Sequence, residues 1–128
     1  CYIIGEGASG GALGIGVGDR VFMLENTWYT VISPENCSTI LWRSWDYKVK
    51  AAEELKLTPE HMFNLKLVDG IVNEPLGGAH SDYDEMAAIL KKHIIANLKE
   101  LHKEGHKNMI HKRIEKYRNM GKFKITES

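Results

Sequence analysis

Cysteine and proline are scarce in this 128-residue chain, which holds two of the first and three of the second. Cys1 and Cys37 are too few to staple a small fold and lack the paired spacing of a metal site. They fit a reducing compartment and read as small apolar residues. No sign of charge dominates either, because 17 Lys and Arg face 17 Asp and Glu. That balance excludes a global electrostatic pull toward nucleic acid or an anionic membrane. No window approaches 18 uninterrupted apolar residues and no signal-peptide pattern opens the chain, so a soluble, intracellular protein is expected. The chain opens on Cys1 rather than Met, and "CYIIGEG" reads as the inside of a strand already under way, which predicts the later part of a longer polypeptide. The remainder, 43% hydrophobic and 27% charged, suits one globular domain.

What the chain has in excess is glycine in one place. The stretch "IGEGASGGALGIGVGDRV", residues 4–21, holds seven of the twelve glycines, threaded with Ile, Leu and Val. Each glycine inside a helix or strand costs roughly 0.5–1 kcal/mol relative to alanine, so the exposed backbone must serve something. Three uses compete. "GEGASG" has the bare GxGxxG spacing of a dinucleotide loop, with Glu25 as the acidic residue about twenty positions on. Gly14, Gly16 and Gly18 suit a helix approaching a sheet closely. Gly10 and Gly11 suit an oxyanion hole, because N–H groups at a helix start lack intrahelical partners and glycine leaves no Cβ in the way.

The rest of the pattern alternates strand and helix. Cys1–Ile4 is a buried strand ending at Gly5, and "SGGALGIGVG" is a helix with Leu13, Ile15 and Val17 apolar, closed by Gly18 and Asp19. "RVFMLEN" and "WYTVIS" are extended runs joined by a turn at Asn26 and Thr27. Ser33, Pro34 and Glu35 start a helix by capping, by proline at its first position and by an acid at the positive end of the dipole, with Ile40 and Leu41 inward. Thr58-Pro59-Glu60 repeats that signature. "VDGIVNEP" is a strand, and Pro75, Gly77 and Gly78 form a loop. From Ser81, capped with Asp84, the residues Met86, Leu90, Ile94, Leu98 and Leu101 recur at helical spacing. A second helix after Gly105 carries Ile110, Ile114 and Tyr117, within a basic segment from Lys103 to Lys124. Strand and helix first, helices after, predicts a layered α/β core followed by a helical extension.

The glycine stretch running on through "VISPENCSTILW", together with "VDGIVNEPLGGAH", resembles the α-subunit family of bacterial and plastid acetyl-CoA carboxylase carboxyltransferases, with few gaps from Ile3 to His80. The resemblance implies an α/β, crotonase-like (ClpP/crotonase) fold, here partial, with residues 1–80 the later part of the core and 81–128 a C-terminal helical extension. It also implies transfer of a carboxyl group from carboxybiotin, on the biotin carboxyl carrier protein, to acetyl-CoA, giving malonyl-CoA for fatty-acid synthesis. Gly10 and Gly11 would aim backbone N–H groups at the biotin ureido oxygen, while the glycines of a carboxyltransferase β subunit hold the acetyl-CoA enolate in an α2β2 assembly. Ser9, Ala12, Ser33, Pro34, Glu35 and His80 fall in the same vicinity. No metal, nucleic acid or membrane is implied, and the setting is the cytoplasm, or the plastid stroma in a plant. Two anions held by backbone donors need no side-chain base. Ala8 and Asn36 stand where the family usually has glycine, and Trp28 and Trp45 are bulkier than usual.

Other residues have plainer readings. His80 closes a loop, and Glu35 serves a helix first turn. Glu6 sits in a glycine turn. His102, His106 and His111 lack the partners of a metal site. The basic helix reads as a solvated face rather than a contact for a partner or CoA phosphates. Two rivals stand beside the carboxyltransferase: another crotonase-fold acyl-CoA enzyme (hydratase, isomerase or biotin-dependent decarboxylase subunit), or a non-catalytic assembly module whose glycines serve packing.

Overall fold

The computed structural model describes residues 1–121. Lys122 and Lys124, the end of the basic segment, lie outside the described residues. Four consecutive side chains, Val21, Phe22, Met23 and Leu24, are at most 7% exposed. A strand points successive side chains to opposite faces, so a run buried throughout is one covered on both sides.

That run holds the middle strand of a three-stranded parallel sheet. β1 (Tyr2–Ile3) and β5 (Gly70–Val72) flank β3 (Phe22–Leu24), with Tyr2 opposite Phe22, and Phe22 opposite Gly70. On one face Val21 and Met23 pack with Met62 and Val68, bordered by Ile3, Tyr29 and Leu67. On the other, Phe22 and Leu24 pack with Val72 and Met86, bordered by Tyr2, Ala79, Ile89 and Leu90. A second parallel pair joins β2 (Glu6–Ala8) to β4 (Trp28–Thr30). The sequence predicts a turn where β2 lies. Gly7 makes the strand possible, because a Cβ there would stand 3.1 Å from the Tyr29 ring and 3.2 Å from an Ile3 methyl.

Between the strands run α1 (Ser9–Ile15), α2 (Pro34–Trp42), α3 (Lys48–Leu55) and α4 (Pro59–Asn64). α2 starts as its sequence predicts, with the Asn36 N–H donating to the Ser33 hydroxyl at 3.3 Å. Its inward face differs: Ser38 is fully buried, its hydroxyl donating to the Ser44 carbonyl, while Ile40 and Leu41 are 70% and 63% exposed. A small residue at Ser38 lets α2 close on α3 and on a short 3₁₀ turn at Trp45–Tyr47, which leaves the two aliphatics on the far side. α3 has only a short apolar stripe, Ala51 and Leu55, and the sequence pattern passes over it. It is anchored by the fully buried Ala51 and by the Lys50 ammonium 5.3 Å above the Trp42 ring.

α5 (Tyr83–Glu104) begins one residue later than Ser81 predicts: Asp82 caps it through the Glu85 N–H at 2.8 Å, and the Ser81 hydroxyl donates instead to the Gly77 carbonyl. Its stripe is also rotated. Met86 is buried and Leu90 packs on the core, but further along Ile94 and Leu98 are exposed, and there the helix meets the core through His93 and Asn97. The His93 ring stands edge-on to Phe22 at 4.5 Å with Nδ1 2.8 Å from the Tyr2 hydroxyl, and Arg20 reaches Asn97 at 2.6 Å and Glu100 at 2.7 Å. α6 (His106–Arg118) folds back with Arg113 on Asp19 and Lys116 on Asp69. Lys112 and Arg118 pair with Glu104 and Glu115, so much of the basic helix is matched within the chain. No helix among the described residues is long and apolar enough to cross a membrane.

Truncating the centre of β3 is the severest test of this core. In the full-length parent chain, Met23→Ala is expected to lower stability by about 2–5 kcal/mol in urea denaturation. A loss under about 1 kcal/mol would mean that β3 is not the buried centre.

Candidate functional site

The glycine pair lies on α1, which Ser9 opens in an unusual conformation. Ser9 has φ +61°, in the left-handed region that L residues avoid at a cost of about 1–2 kcal/mol. Ala8 before it is extended, and its methyl group offers no cap to the helix. The first-turn N–H groups, which have no intrahelical partner, are thus left without a side-chain cap. A Cβ built on Gly10 or on Gly11 would meet nothing within 4 Å, so this backbone faces open space.

Close packing, predicted for Gly14, Gly16 and Gly18, holds at two of them. A Cβ at Gly16 would press on the Tyr29 hydroxyl and lie 2.8 Å from the Ala12 carbonyl, and one at Gly18 would lie 2.8 Å from the Cys1 sulfur. Gly14 faces open space. α1 buries none of its residues, and Leu13 and Ile15 are 64% and 76% exposed. The glycines admit its C-terminal end to the sheet layer while its aliphatic face stays uncovered by the described residues.

Beside α1 lies an apolar cavity of about 370 Å³, with Ser9, Leu13, Val17, Tyr29, Val31 and Tyr117 among its walls. None of the described residues lining it is a carboxylate, a histidine or a lysine. Burial raises the Tyr29 phenol above its ordinary pKa. Burial also raises Tyr117, with the Asp69 carboxylate adding to the effect, so both phenols hold their protons at neutral pH. The Tyr117 proton is already given to the Gly16 and Gly18 carbonyls, so this corner sets the Tyr29 hydroxyl against an apolar wall, which suits holding a developing anion rather than removing a proton.

The remaining sequence-predicted residues divide. Ala12 is half-buried and its carbonyl accepts from Gly16 at 2.8 Å. Ser33, Pro34 and Glu35 form the start of α2, Ser33 as its cap and the Glu35 carbonyl accepting from Thr39 at 2.9 Å. His80 is exposed and lines a different groove, at the C-terminal ends of β1, β3 and β5, with Ile4, Glu25 and Glu74. Open α/β sheets bind ligands at such ends. Here the carboxylates are engaged with backbone. Glu25 accepts from the Glu74 N–H at 2.7 Å, while Glu74 accepts from Asn26 (N–H 3.0 Å, side chain 3.1 Å) and from the Ala79 N–H at 2.7 Å. Burial works to raise the Glu74 pKa, but the Asn26 and Ala79 hydrogen bonds, with His80 nearby, bring it below the ordinary value. Glu25 thus ties two loops together instead of standing free for a ribose, which weakens the dinucleotide alternative. Among the described residues, no three His, Cys, Asp or Glu side chains gather as a metal site.

Sequence reasoning missed Tyr29, Tyr117 and the crossed Glu25 and Glu74. The glutamates stood inside segments already singled out. Tyr117 had no local signal, since it meets Gly16 across 101 residues.

Residues 1–121 match the family model described as acetyl co-enzyme A carboxylase carboxyltransferase-like. Relatives called acetyl-coenzyme A carboxylase carboxyl transferase subunit alpha include one from Pelodictyon phaeoclathratiforme, 58% identical over 94% of this chain and 36% of its own length. The relative from Flavobacterium johnsoniae is 57% identical over 95% of this chain and 38% of its own. That from Chlorobaculum parvum is 53% identical over the whole chain and 38% of its own length. The chain spans less than two fifths of each of these relatives.

Two outcomes follow from the local geometry. Ser9→Val puts a β-branched residue at positive φ and is expected to lower the stability of the full-length parent by about 1–2 kcal/mol, read as Tm; Ser9→Gly is not. The lowered pKa of Glu74 adds stability that is complete above its ordinary value of 4.5 and is lost as pH falls through the lower, folded value. Glu74→Gln is accordingly expected to cost about 1 kcal/mol at pH 7 and to flatten the acid limb of the stability profile. An unchanged acid limb would dismiss the clamp.

Proposed function

Because the chain belongs to the acetyl co-enzyme A carboxylase carboxyltransferase-like family, we propose that it forms the C-terminal part of the carboxyltransferase α subunit of acetyl-CoA carboxylase. The reaction is transfer of a carboxyl group from carboxybiotin to acetyl-CoA, giving malonyl-CoA for fatty-acid synthesis. The fold of the whole subunit is crotonase-like, with residues 1–80 completing the core and 81–128 forming its helical extension. The partners are a carboxyltransferase β subunit, in an α2β2 assembly, and the biotin carboxyl carrier protein, in the cytoplasm or the plastid stroma.

One observation carries this reading: the uncapped, unobstructed first turn of α1 at Gly10 and Gly11. A ureido oxygen that gains negative charge as its ring gives up a carboxyl group needs fixed donors, and two adjacent backbone N–H groups supply them without reorganisation. Carboxybiotin, when bound, supplies the activated carboxyl group. Gly10 and Gly11 orient it and hold the charge, beside the apolar wall that Ser9 and Leu13 share. Ala12, Ser33, Pro34 and Glu35 set the backbone around the site. His80 serves the neighbouring groove.

The test is malonyl-CoA-dependent carboxylation of free biocytin by the full-length parent chain co-purified with its β partner. Gly11→Val is expected to lower turnover about 10²–10³-fold with the complex intact, since a side chain there has room in the fold yet obstructs approach to the amides. Wild-type turnover by that variant would favour the packing-only alternative. Robust hydration of an enoyl-CoA by the unaltered complex would favour a different acyl-CoA enzyme.

A further inference from the structure

α1 is a seven-residue helix with no buried side chain and no side-chain cap at its start. Core packing therefore does not hold it, and such short helices are marginal on their own. Its N-terminal end follows directly from β2, whose Ala8 pairs with Thr30 of β4. Its C-terminal end is held from the far end of the chain. The Tyr117 hydroxyl of α6 donates to the Gly16 carbonyl at 2.7 Å and, in a shared bond, to the Gly18 carbonyl at 2.9 Å. These oxygens lie where a helix runs out of intrahelical donors.

Tyr117 is itself braced. One residue before it, Lys116 reaches the Asp69 carboxylate at 2.5 Å and the Asp19 carbonyl at 3.3 Å. Asp69 in turn accepts from the N–H of Val21, the entry to β3, at 2.6 Å. Arg113, one turn earlier on α6, meets the Asp19 carboxylate at 3.4 Å. A continuous path thus runs from the buried strand through Asp69 and Lys116 to Tyr117, and from its hydroxyl to the end of α1.

We infer that Tyr117 is a positioning residue for the carboxyl transfer, its hydroxyl fixing the C-terminal end of α1 and thereby the direction in which the Gly10 and Gly11 amides point. This rests on the function proposed above. Oxyanion donors act only when well aimed, and a helix with no buried side chain depends on the contacts at its ends, where the Tyr117 hydroxyl acts beside the Cys1 thiol, which donates to the Ile15 carbonyl at 3.0 Å.

The experiment uses Tyr117→Phe, which removes one oxygen, in the full-length parent assembled with its β partner. Lys112→Ala, on the same helix and outside the path, is the control. The expected result is a fall in kcat for biocytin carboxylation of about 10-fold with KM for malonyl-CoA within twofold. Amide hydrogen exchange across Ala12–Gly18 should quicken in the same variant, and the complex should stay assembled. Unchanged kcat and exchange overturn the proposal, as does dissociation of the complex, or an equal loss in Lys112→Ala, since either would make the helix merely structural. Should the unaltered complex show no carboxyl transfer, the proposed function fails instead, and the exchange experiment, which needs no turnover, still reads the tether.

Discussion

Covering β3 on both faces is the constraint from which the rest of the structure follows. Val21 and Met23 recruit Met62 and Val68, and Phe22 and Leu24 recruit Val72 and Met86. The two demands are met from different parts of the chain. The first draws in α4 and the segment leading to β5, while the second needs α5, so the helical tail belongs to the same packing problem as the sheet. Once α5 lies against Phe22 and Arg20, the turn at Gly105 returns α6 along Asp19 and Asp69, and the tail arrives beside the glycine helix.

That arrangement links the solvent-facing glycine helix to the best-buried strand through α6, by polar contacts instead of apolar ones. The glycine backbone stays open because none of the described residues packs over it, and it stays in place because its ends are fixed. Binding an anion through backbone amides asks for both properties at once. A helix buried by large side chains would be rigid with its amides covered. Gly16 and Gly18 resolve the conflict on one side by close approach to Tyr29 and Cys1, and Ser9 resolves it on the other by accepting a left-handed backbone.

Much of this was legible in the sequence, for identifiable reasons. The run "RVFMLEN" was legible as extended, though its cover on both faces was not, and the Ser-Pro-Glu signature marked the start of α2 because capping is decided by neighbouring residues. The glycine pair and "EPLGGAH" carried the family resemblance, and the match over residues 1–121 agrees with it. Properties set by distant partners were not legible. Ile40 and Leu41 looked inward by composition, yet Ser38 takes the buried position because α3, announced only by the short stripe of Ala51 and Leu55, needs close approach. The face of α5 was misjudged by one position for a similar reason: His93 and Asn97, polar by type, are the residues that Tyr2, Phe22 and Arg20 require. Gly14 looked like its neighbours in a glycine repeat, and only the course of the helix tells them apart.

The central claim is that the Gly10 and Gly11 amides, and no side-chain acid or base, receive the charge released at biotin. Its most direct measurement is a structure of the full-length parent assembled with its β partner and with biotin bound. The expected result is both N–H groups about 2.7–3.1 Å from the ureido oxygen, the range in which such donors act. A ureido oxygen bound elsewhere, with the first turn of α1 facing solvent, would contradict the account.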